Sequence, residues 1–181
     1  MRNNILKYQQ LVLLLLCGLY IGLVSAEPGL GLKLEGLDGR QHSLSEYVGH
    51  GKWTLLNIWG PHCRPCRYEM PLLNQFYLKH RGKDATVVAM ALDFPSFGPA
   101  IRKDVQTFID DYQIEIPVLL GDDQLAGKLA GKPLKALPTT HFFDPKGHLV
   151  QTWTGAVEIE ELESFIRDYD PDAEQDWMLK W

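Results

Sequence analysis

Residues 59–71 are Trp59-Gly60-Pro61-His62-Cys63-Arg64-Pro65-Cys66-Arg67-Tyr68-Glu69-Met70-Pro71 and contain a Cys-x-x-Cys motif. The preceding residues 53–59 are mostly aliphatic and aromatic, which predicts a buried strand. Apolar residues then recur with helical spacing and no glycine occurs before Gly82, which predicts a helix over 63–80. The motif therefore lies where a strand ends and a helix begins. Because the free N–H groups and dipole of a helix N-terminus stabilise a thiolate, we expect Cys63 to be the exposed, reactive cysteine and Cys66 to close a disulfide with it.

The first 26 residues have the composition of an export signal. Arg2 and Lys7 precede an apolar run over 11–24, and small residues end the segment at Ala26. This pattern predicts a secretory signal peptide cleaved after Ala26. An uncleaved N-terminal membrane anchor is the alternative, although the run has about 14 residues and a membrane helix needs roughly 20. The predicted organisation is a signal peptide or anchor over 1–26, one globular domain over 27–170 and a C-terminal tail over 171–181.

Composition and cysteine count exclude two classes of protein. The 181 residues carry a formal net charge of −5, which becomes −7 when Arg2 and Lys7 leave with the signal. With no basic stretch in the remainder, nucleic acid is not expected as a partner. Of the three cysteines, Cys17 lies in the signal, so the mature chain keeps Cys63 and Cys66. A disulfide between them closes too short a loop to serve as a stabilising scaffold, and redox chemistry explains the pair better.

Strand-like and helix-like segments alternate along the rest of the chain. Strands are predicted near 30–34, 53–59, 85–92, 117–120, 139–143 and 148–154, and helices over 63–80, 101–112, 123–130 and 158–169. The segment 85–92 is almost continuously apolar, as in a strand covered on both faces. This order predicts an α/β domain with a mixed central sheet and helices on both faces. The active end is expected at the carboxyl ends of the parallel strands, where the Cys-x-x-Cys motif lies.

Three parts of the sequence carry a family resemblance. They are Asn57-Ile58-Trp59 with the stretch 63–71, Leu137-Pro138-Thr139-Thr140 with Phe142-Phe143-Asp144-Pro145-Lys146-Gly147, and a helix-containing insertion over about 94–120. Together they resemble the thioredoxin superfamily, and within it the exported TlpA/ResA-type, DsbE-like thiol-disulfide oxidoreductases, over roughly residues 30–169. The resemblance implies a thioredoxin-like fold with the extra N-terminal strand segment and the central insertion of TlpA-like proteins.

The same resemblance implies the residues of the site. Cys63 and Cys66 exchange disulfides, and Pro138 is a cis-proline that faces them. Glu69, three residues after Cys66, is the acidic group that moves the proton on and off that cysteine. The residues expected to bind client proteins are Trp59, His62, Leu137 and Thr139.

Two positions depart from the pattern of related proteins. Asn57 stands where cytosolic thioredoxins carry a buried aspartate that moves protons, and an asparagine cannot do so. His62 stands where the TlpA/ResA-type proteins usually have a tryptophan. A cationic His62 would favour the Cys63 thiolate, whereas a neutral one would only shape the docking surface.

The function implied by the resemblance is that of an exported enzyme that reduces disulfides in periplasmic or other extracytoplasmic proteins. Apocytochrome c is one candidate client, which would place the protein in cytochrome c maturation. A membrane donor of the DsbD/CcdA kind is expected to supply electrons to the Cys63–Cys66 dithiol. We expect a monomer without cofactor or metal, periplasmic or held at the membrane by its N-terminus.

Three alternatives remain at this point. A disulfide oxidase or isomerase of the same fold would use the same motif. A Cu(I)-binding or copper-delivery module would use Cys63 and Cys66 with His62 and Met70, because Cu(I) prefers soft ligands. A peroxidase is the third alternative. It needs a threonine or serine three residues before its reactive cysteine, and the glycine at this position, Gly60, disfavours it.

Overall fold

The computed structural model describes residues 29–169. The predicted signal or anchor and the tail over 171–181 lie outside the described residues, as does Cys17. The strands are β1 (Lys33–Gly36), β2 (Gln41–Ser43), β3 (Trp53–Trp59), β4 (Ala85–Ala91), β5 (Val118–Leu120), β6 (Thr139–Phe143) and β7 (Leu149–Thr154). The α-helices are α1 (Arg64–His80), α2 (Arg102–Tyr112), α3 (Asp123–Ala130) and α4 (Ile159–Asp168).

The strands form one mixed sheet in the order β2-β1-β5-β4-β3-β6-β7. β3, β4 and β5 are parallel, and antiparallel strands extend the sheet on both sides. All seven residues of β3 are buried, as are all residues of β4 except the half-buried Thr86. The prediction of a strand covered on both faces is therefore confirmed for β4. The central position of β3 fixes the place where the Cys-x-x-Cys motif emerges.

Helices α1, α2 and α4 cover one face of the sheet. The side chain of Asn74 on α1 donates to the carbonyl of Gln113 and accepts the backbone N–H of Glu115, which ties α1 to the end of α2. Lys79 on α1 pairs with Glu163 on α4 at 2.6 Å. The helix that carries the motif is thus supported on both of its flanks.

The fourth helix, α3, lies on the opposite face. Side chains alternate along β6, because successive residues of a strand point to opposite faces. Thr140 accepts a hydrogen bond from Asn57, which also contacts Glu69 on α1. His141, the next residue, lines a cavity together with Ala126 of α3. The predicted arrangement of helices on both faces is confirmed.

Most predicted element boundaries agree with the structure within one or two residues. The first strand is displaced to Lys33–Gly36 because Gly29 to Leu32 form a turn, in which the N–H of Leu32 bonds the carbonyl of Gly29. The short strand β2, which pairs with β1, was not predicted. Within residues 29–169, no helix has both the length and the apolar content to cross a membrane.

Candidate active site

The cysteine pair lies at the N-terminus of α1, directly after β3. Cys63 is the N-cap residue, and its carbonyl accepts the backbone N–H of Arg67 at 3.1 Å. Pro65 lies in the first turn, where a missing N–H leaves no helical hydrogen bond unmade. Cys66 is in the same turn and is joined to Cys63 by a disulfide, with a Cα–Cα distance of 5.3 Å. On reduction, a thiolate at Cys63 would lie beside the free N–H groups and positive dipole end of α1.

Both cysteines are shielded from solvent in this oxidised form. Cys63 is 1% exposed and Cys66 is 0% exposed. The prediction of an exposed Cys63 is therefore wrong for the disulfide state, because the bond ties its sulfur to Cys66 on the buried side of α1. The adjacent His62 and Arg64 are exposed and form the surface at this point.

The Leu137–Pro138 segment lies beside the motif. The peptide bond between the two residues is cis, as the family resemblance implied. β6 begins at Thr139, which is opposite Ile58 of β3, so Pro138 lies next to the end of the strand that leads into the motif. The backbone N–H and carbonyl of Leu137 make no hydrogen bond within residues 29–169. Among the described residues, the backbone donor and acceptor of Leu137 are therefore unused next to the motif.

Gly60 allows the loops around the motif to approach closely. A Cβ atom at this position would lie 2.9 Å from the carbonyl oxygen of Leu92 and 3.2 Å from the Cβ of Phe94. The Leu92 oxygen belongs to the backbone, so a side chain at this position would require the loop to shift. The threonine or serine that a peroxidase requires three residues before its reactive cysteine is therefore disfavoured here, which argues against that alternative.

Glu69 is buried one helical turn after Cys66 and is 1% exposed. Its Oε1 accepts the backbone N–H of Val157 at 3.1 Å, and its Oε2 accepts the side-chain N–H of Asn57 at 3.4 Å. Burial disfavours the ionised form and raises the pKa of Glu69 to about 7, although the two hydrogen bonds act in the opposite direction. A carboxyl group that titrates near neutral pH can both donate and accept a proton.

Asn57 connects Glu69 to β6. Its Nδ2 donates to Thr140 Oγ1 at 3.0 Å as well as to Glu69, whereas its Oδ1 is buried and has no hydrogen-bond partner among the described residues. A side-chain amide offers a donor on one side and an acceptor on the other. In the orientation seen here, the Asn57 amide nitrogen donates a hydrogen bond to an ionised Glu69. With the amide turned over, the Asn57 oxygen would accept a hydrogen bond from a protonated Glu69. Asn57 moves no proton itself but is able to satisfy both protonation states of Glu69.

His62 contacts the insertion helix rather than the disulfide. Its Nε2 is 2.9 Å from Asp104 Oδ2 on α2, and the two side chains are 55% and 34% exposed. Sequence reasoning did not identify Asp104, because a contact across 42 residues leaves no local pattern. A positive charge on His62 would be compensated by this carboxylate.

A second set of contacts from α2 supports the motif. The rings of Trp59 and Phe108 are 5.0 Å apart. The Arg67 guanidinium lies over the rings of Phe108 and Tyr112, at 5.1 and 5.6 Å from their centroids, and donates to the carbonyl of Pro61 at 2.9 Å. The sequence predicted the helix over 101–112 but did not show that Arg67 joins that helix to the loop before Cys63.

The four residues predicted to bind clients differ in accessibility. Trp59 is fully buried and Thr139 is 4% exposed, so their side chains position the loops beneath the surface. Leu137 is 9% exposed, and His62 is the exposed member of the set. Of the four, His62 is therefore the side chain that is accessible beside the motif in this oxidised form.

The described residues give no geometric support to a copper site. Within residues 29–169, no group of three or more His, Cys, Asp and Glu side chains is arranged to hold a metal ion. The Nε2 of His62 is engaged by Asp104, and Met70 is completely buried inside the helix layer.

The sequence matches the AhpC/TSA family over residues 27–152. It is 28% identical over 183 residues to thiol-disulfide oxidoreductase ResA from Bacillus thuringiensis subsp. konkukian, an alignment that covers 94% of this chain and 100% of the relative. Two solved structures are also similar. A DsbF homologue from Corynebacterium diphtheriae is 27% identical with a TM-score of 0.65, covering 78% of this chain and 86% of the other. A putative thiol:disulfide interchange protein DsbE from Chlorobium tepidum is 26% identical with a TM-score of 0.63, covering 78% and 94%.

Proposed function

The chain belongs to the AhpC/TSA family, within the thioredoxin superfamily, and on this premise we propose that it reduces disulfide bonds in exported proteins. It is a thiol-disulfide oxidoreductase with a Cys-x-x-Cys pair, like its ResA relatives. The observation that carries the proposal is the placement of Cys63 and Cys66 at a helix N-terminus, beside the unpaired backbone of Leu137 and one turn before the buried Glu69.

In the proposed reaction, the Cys63 thiolate attacks one sulfur of a client disulfide. A mixed disulfide forms, and the other client sulfur leaves as a thiolate that takes a proton. Cys66 then loses its proton to the Glu69 carboxylate and attacks the Cys63 sulfur, which releases the second client thiolate; this thiolate takes a proton from solvent, and Glu69 returns its proton to solvent. Two electrons pass from the dithiol to the client, so the client gains two thiols and the enzyme is left with the Cys63–Cys66 disulfide.

Continued turnover needs a reductant outside the cytoplasm. We assign this role to a membrane donor of the DsbD/CcdA kind, which would return the Cys63–Cys66 pair to the dithiol. The signal-like residues 1–26 support export to the periplasm, either as a free monomeric domain over 27–170 or with an N-terminal anchor. An apocytochrome c, whose haem-binding cysteines must be reduced, is a client that fits this chemistry.

The direction of exchange is tested by the reduction potential of the Cys63–Cys66 couple. We expect a value near the roughly −270 mV of thioredoxin, together with catalysed reduction of insulin by the dithiol form. A value near roughly −120 mV, with no insulin reduction, would instead assign the oxidase function. Titration of the reduced protein with Cu(I) in the same samples separates the copper-binding alternative: stoichiometric tight binding without insulin reduction would support it.

We predict only a small electrostatic effect of His62 on the redox pair. Because the Asp104 carboxylate would compensate a positive charge on His62 and both side chains are partly solvated, His62→Ala should shift the reduction potential by less than about 30 mV, roughly 1.4 kcal/mol for two electrons. Asp104→Asn removes the compensating carboxylate. It should therefore cause a larger shift of the reduction potential than His62→Ala does, toward a more oxidising value. Equilibration with glutathione at pH 7 measures both. A shift of more than roughly 60 mV in His62→Ala alone would show that the imidazole acts directly on Cys63.

A further inference from the structure

A cavity of about 140 Å³ lies on the face of the sheet opposite Glu69. It is enclosed by α3, by the connector over 131–137 and by β6 and β7. The wall from α3 is apolar. The polar wall and rim consist of Lys132, Lys135, Thr139, His141, Thr152 and Thr154. Apart from Thr139, which the family resemblance assigns to client binding, none of these groups has a role in the disulfide chemistry proposed above.

His141 forms the floor of this cavity and is 3% exposed. Its Nδ1 is 2.9 Å from Thr152 Oγ1, which fixes the ring, whereas its Nε2 has no hydrogen-bond partner within residues 29–169. Among residues 29–169, two side-chain polar atoms have neither a hydrogen-bond partner nor contact with solvent, namely Asn57 Oδ1 and Trp59 Nε1. His141 Nε2 is not one of them. The unpaired Nε2 of His141 is therefore not sealed in protein but accessible from the cavity that the ring lines.

The charges around the cavity are positive. Burial lowers the pKa of His141 to about 4, and the neighbouring charge of Lys132 acts in the same direction, so the ring is neutral at pH 7. Lys132 and Lys135 are both exposed at the rim, and neither forms an ion pair within residues 29–169. The contact with Thr152 fits either tautomer of the neutral ring; in the one that accepts the hydroxyl at Nδ1, the proton is on Nε2 and faces the cavity.

We propose that this cavity binds a small oxyanion. The Nε2–H of His141 donates to it from the floor, and Lys132 and Lys135 compensate its charge from the rim. The hydroxyl of Thr154, which makes no hydrogen bond within residues 29–169, supplies a further donor. Because the same wall includes Thr139, the residue after Pro138, the bound ion lies behind the segment that flanks the disulfide.

The test is a titration of the full-length oxidised protein with inorganic phosphate at pH 7 and constant ionic strength, with the ¹⁵N resonances of the His141 ring as the signal. Acetate is titrated in a parallel arm to separate phosphate from carboxylate binding. We expect a saturable shift of Nε2, with Nδ1 changing less because Thr152 retains it. Saturation by acetate alone would restrict the oxyanion to carboxylates. Shifts that rise linearly without saturation in both arms would overturn the proposal.

Charge variants provide the matched comparison. Lys132→Ala combined with Lys135→Ala should weaken binding at least fivefold, and both side chains are exposed, so the fold should persist. Lys128→Ala, an exposed lysine of α3 outside the cavity lining, should leave the dissociation constant unchanged. Equal weakening by all of these variants would indicate non-specific charge attraction, and the site would be withdrawn.

Discussion

A Cys66→Ala variant should accumulate covalent adducts with exported proteins that the unaltered protein resolves too quickly to be seen. Cys66 lies in the same helical turn as Cys63, with Cα atoms 5.3 Å apart, so its attack on a mixed disulfide is intramolecular. Such proximity corresponds to effective concentrations of roughly 10⁵ M or more, and we expect adduct lifetimes to rise at least about 1,000-fold when it is lost. Cys63 keeps its place as the N-cap residue of α1, so the attacking thiol remains.

The adducts are measured by mass spectrometry of non-reduced samples from an extracytoplasmic protein mixture. They should disappear with a reductant and should be absent from the Cys63→Ala, Cys66→Ala double variant. Alkylation of the reduced Cys66→Ala protein establishes that the Cys63 thiol is free. If that thiol is free and reactive but no adducts form, disulfide exchange with exported proteins is not the function.

The order of strands and helices could be predicted from the sequence because each element has its own local pattern. The apolar run that became β4 and the helical spacing that became α1 are local patterns. β2 has only three residues and no apolar alternation, and it is a strand because it pairs with β1. Pairing partners are determined by the whole sheet, so a segment of this kind leaves no local trace.

The residues of the redox motif could also be predicted from the sequence, but the residues that contact them could not. The backbone N–H that bonds Glu69 belongs to Val157, which is 88 positions away, and any residue except proline would supply it. The partner of His62 is one of several acidic residues in the insertion. The burial of Cys63 depends on the direction in which the disulfide turns its sulfur. The first two facts are long-range contacts of polar groups, which a residue pattern does not encode, and the third depends on side-chain geometry within one helical turn.

Glu69→Gln should abolish a pH dependence of stability that Glu69 imposes on the folded protein. Burial raises the pKa of Glu69 from its ordinary 4.5 to about 7 in the folded state. Between these two values the folded protein holds a proton that the unfolded chain releases, so stability falls as the pH rises through this window. The penalty is complete above about pH 7 and amounts to about 3 kcal/mol at most, since each pKa unit corresponds to about 1.4 kcal/mol.

Urea unfolding of the oxidised proteins at pH 5 and pH 8 measures this effect. The glutamine side chain cannot ionise, and its oxygen can still accept the Val157 N–H while its amide donates to Asn57 Oδ1 after that group turns over. We therefore expect Glu69→Gln to be more stable than the unaltered protein at pH 8, with a smaller difference at pH 5. Glu160→Gln, at an exposed glutamate of α4, is the control and should leave the pH dependence in place. A parallel pH dependence in Glu69→Gln and the unaltered protein would show that Glu69 does not titrate in this range.

The same substitution should slow disulfide reduction, on the order of 100-fold near neutral pH, because general acid–base groups contribute roughly 10²- to 10⁴-fold. The proposed step is proton transfer between the Cys66 thiol and the Glu69 carboxylate one turn further along α1. A group that serves only packing would change stability without moving the pH profile, so the rate of insulin reduction is measured from pH 5 to pH 9. The unaltered protein should show a break near pH 7, where burial places the pKa of Glu69, and Glu69→Gln should lack it. Retention of both the rate and the break would leave Glu69 as a buried structural residue, because a neutral amide cannot carry the proton.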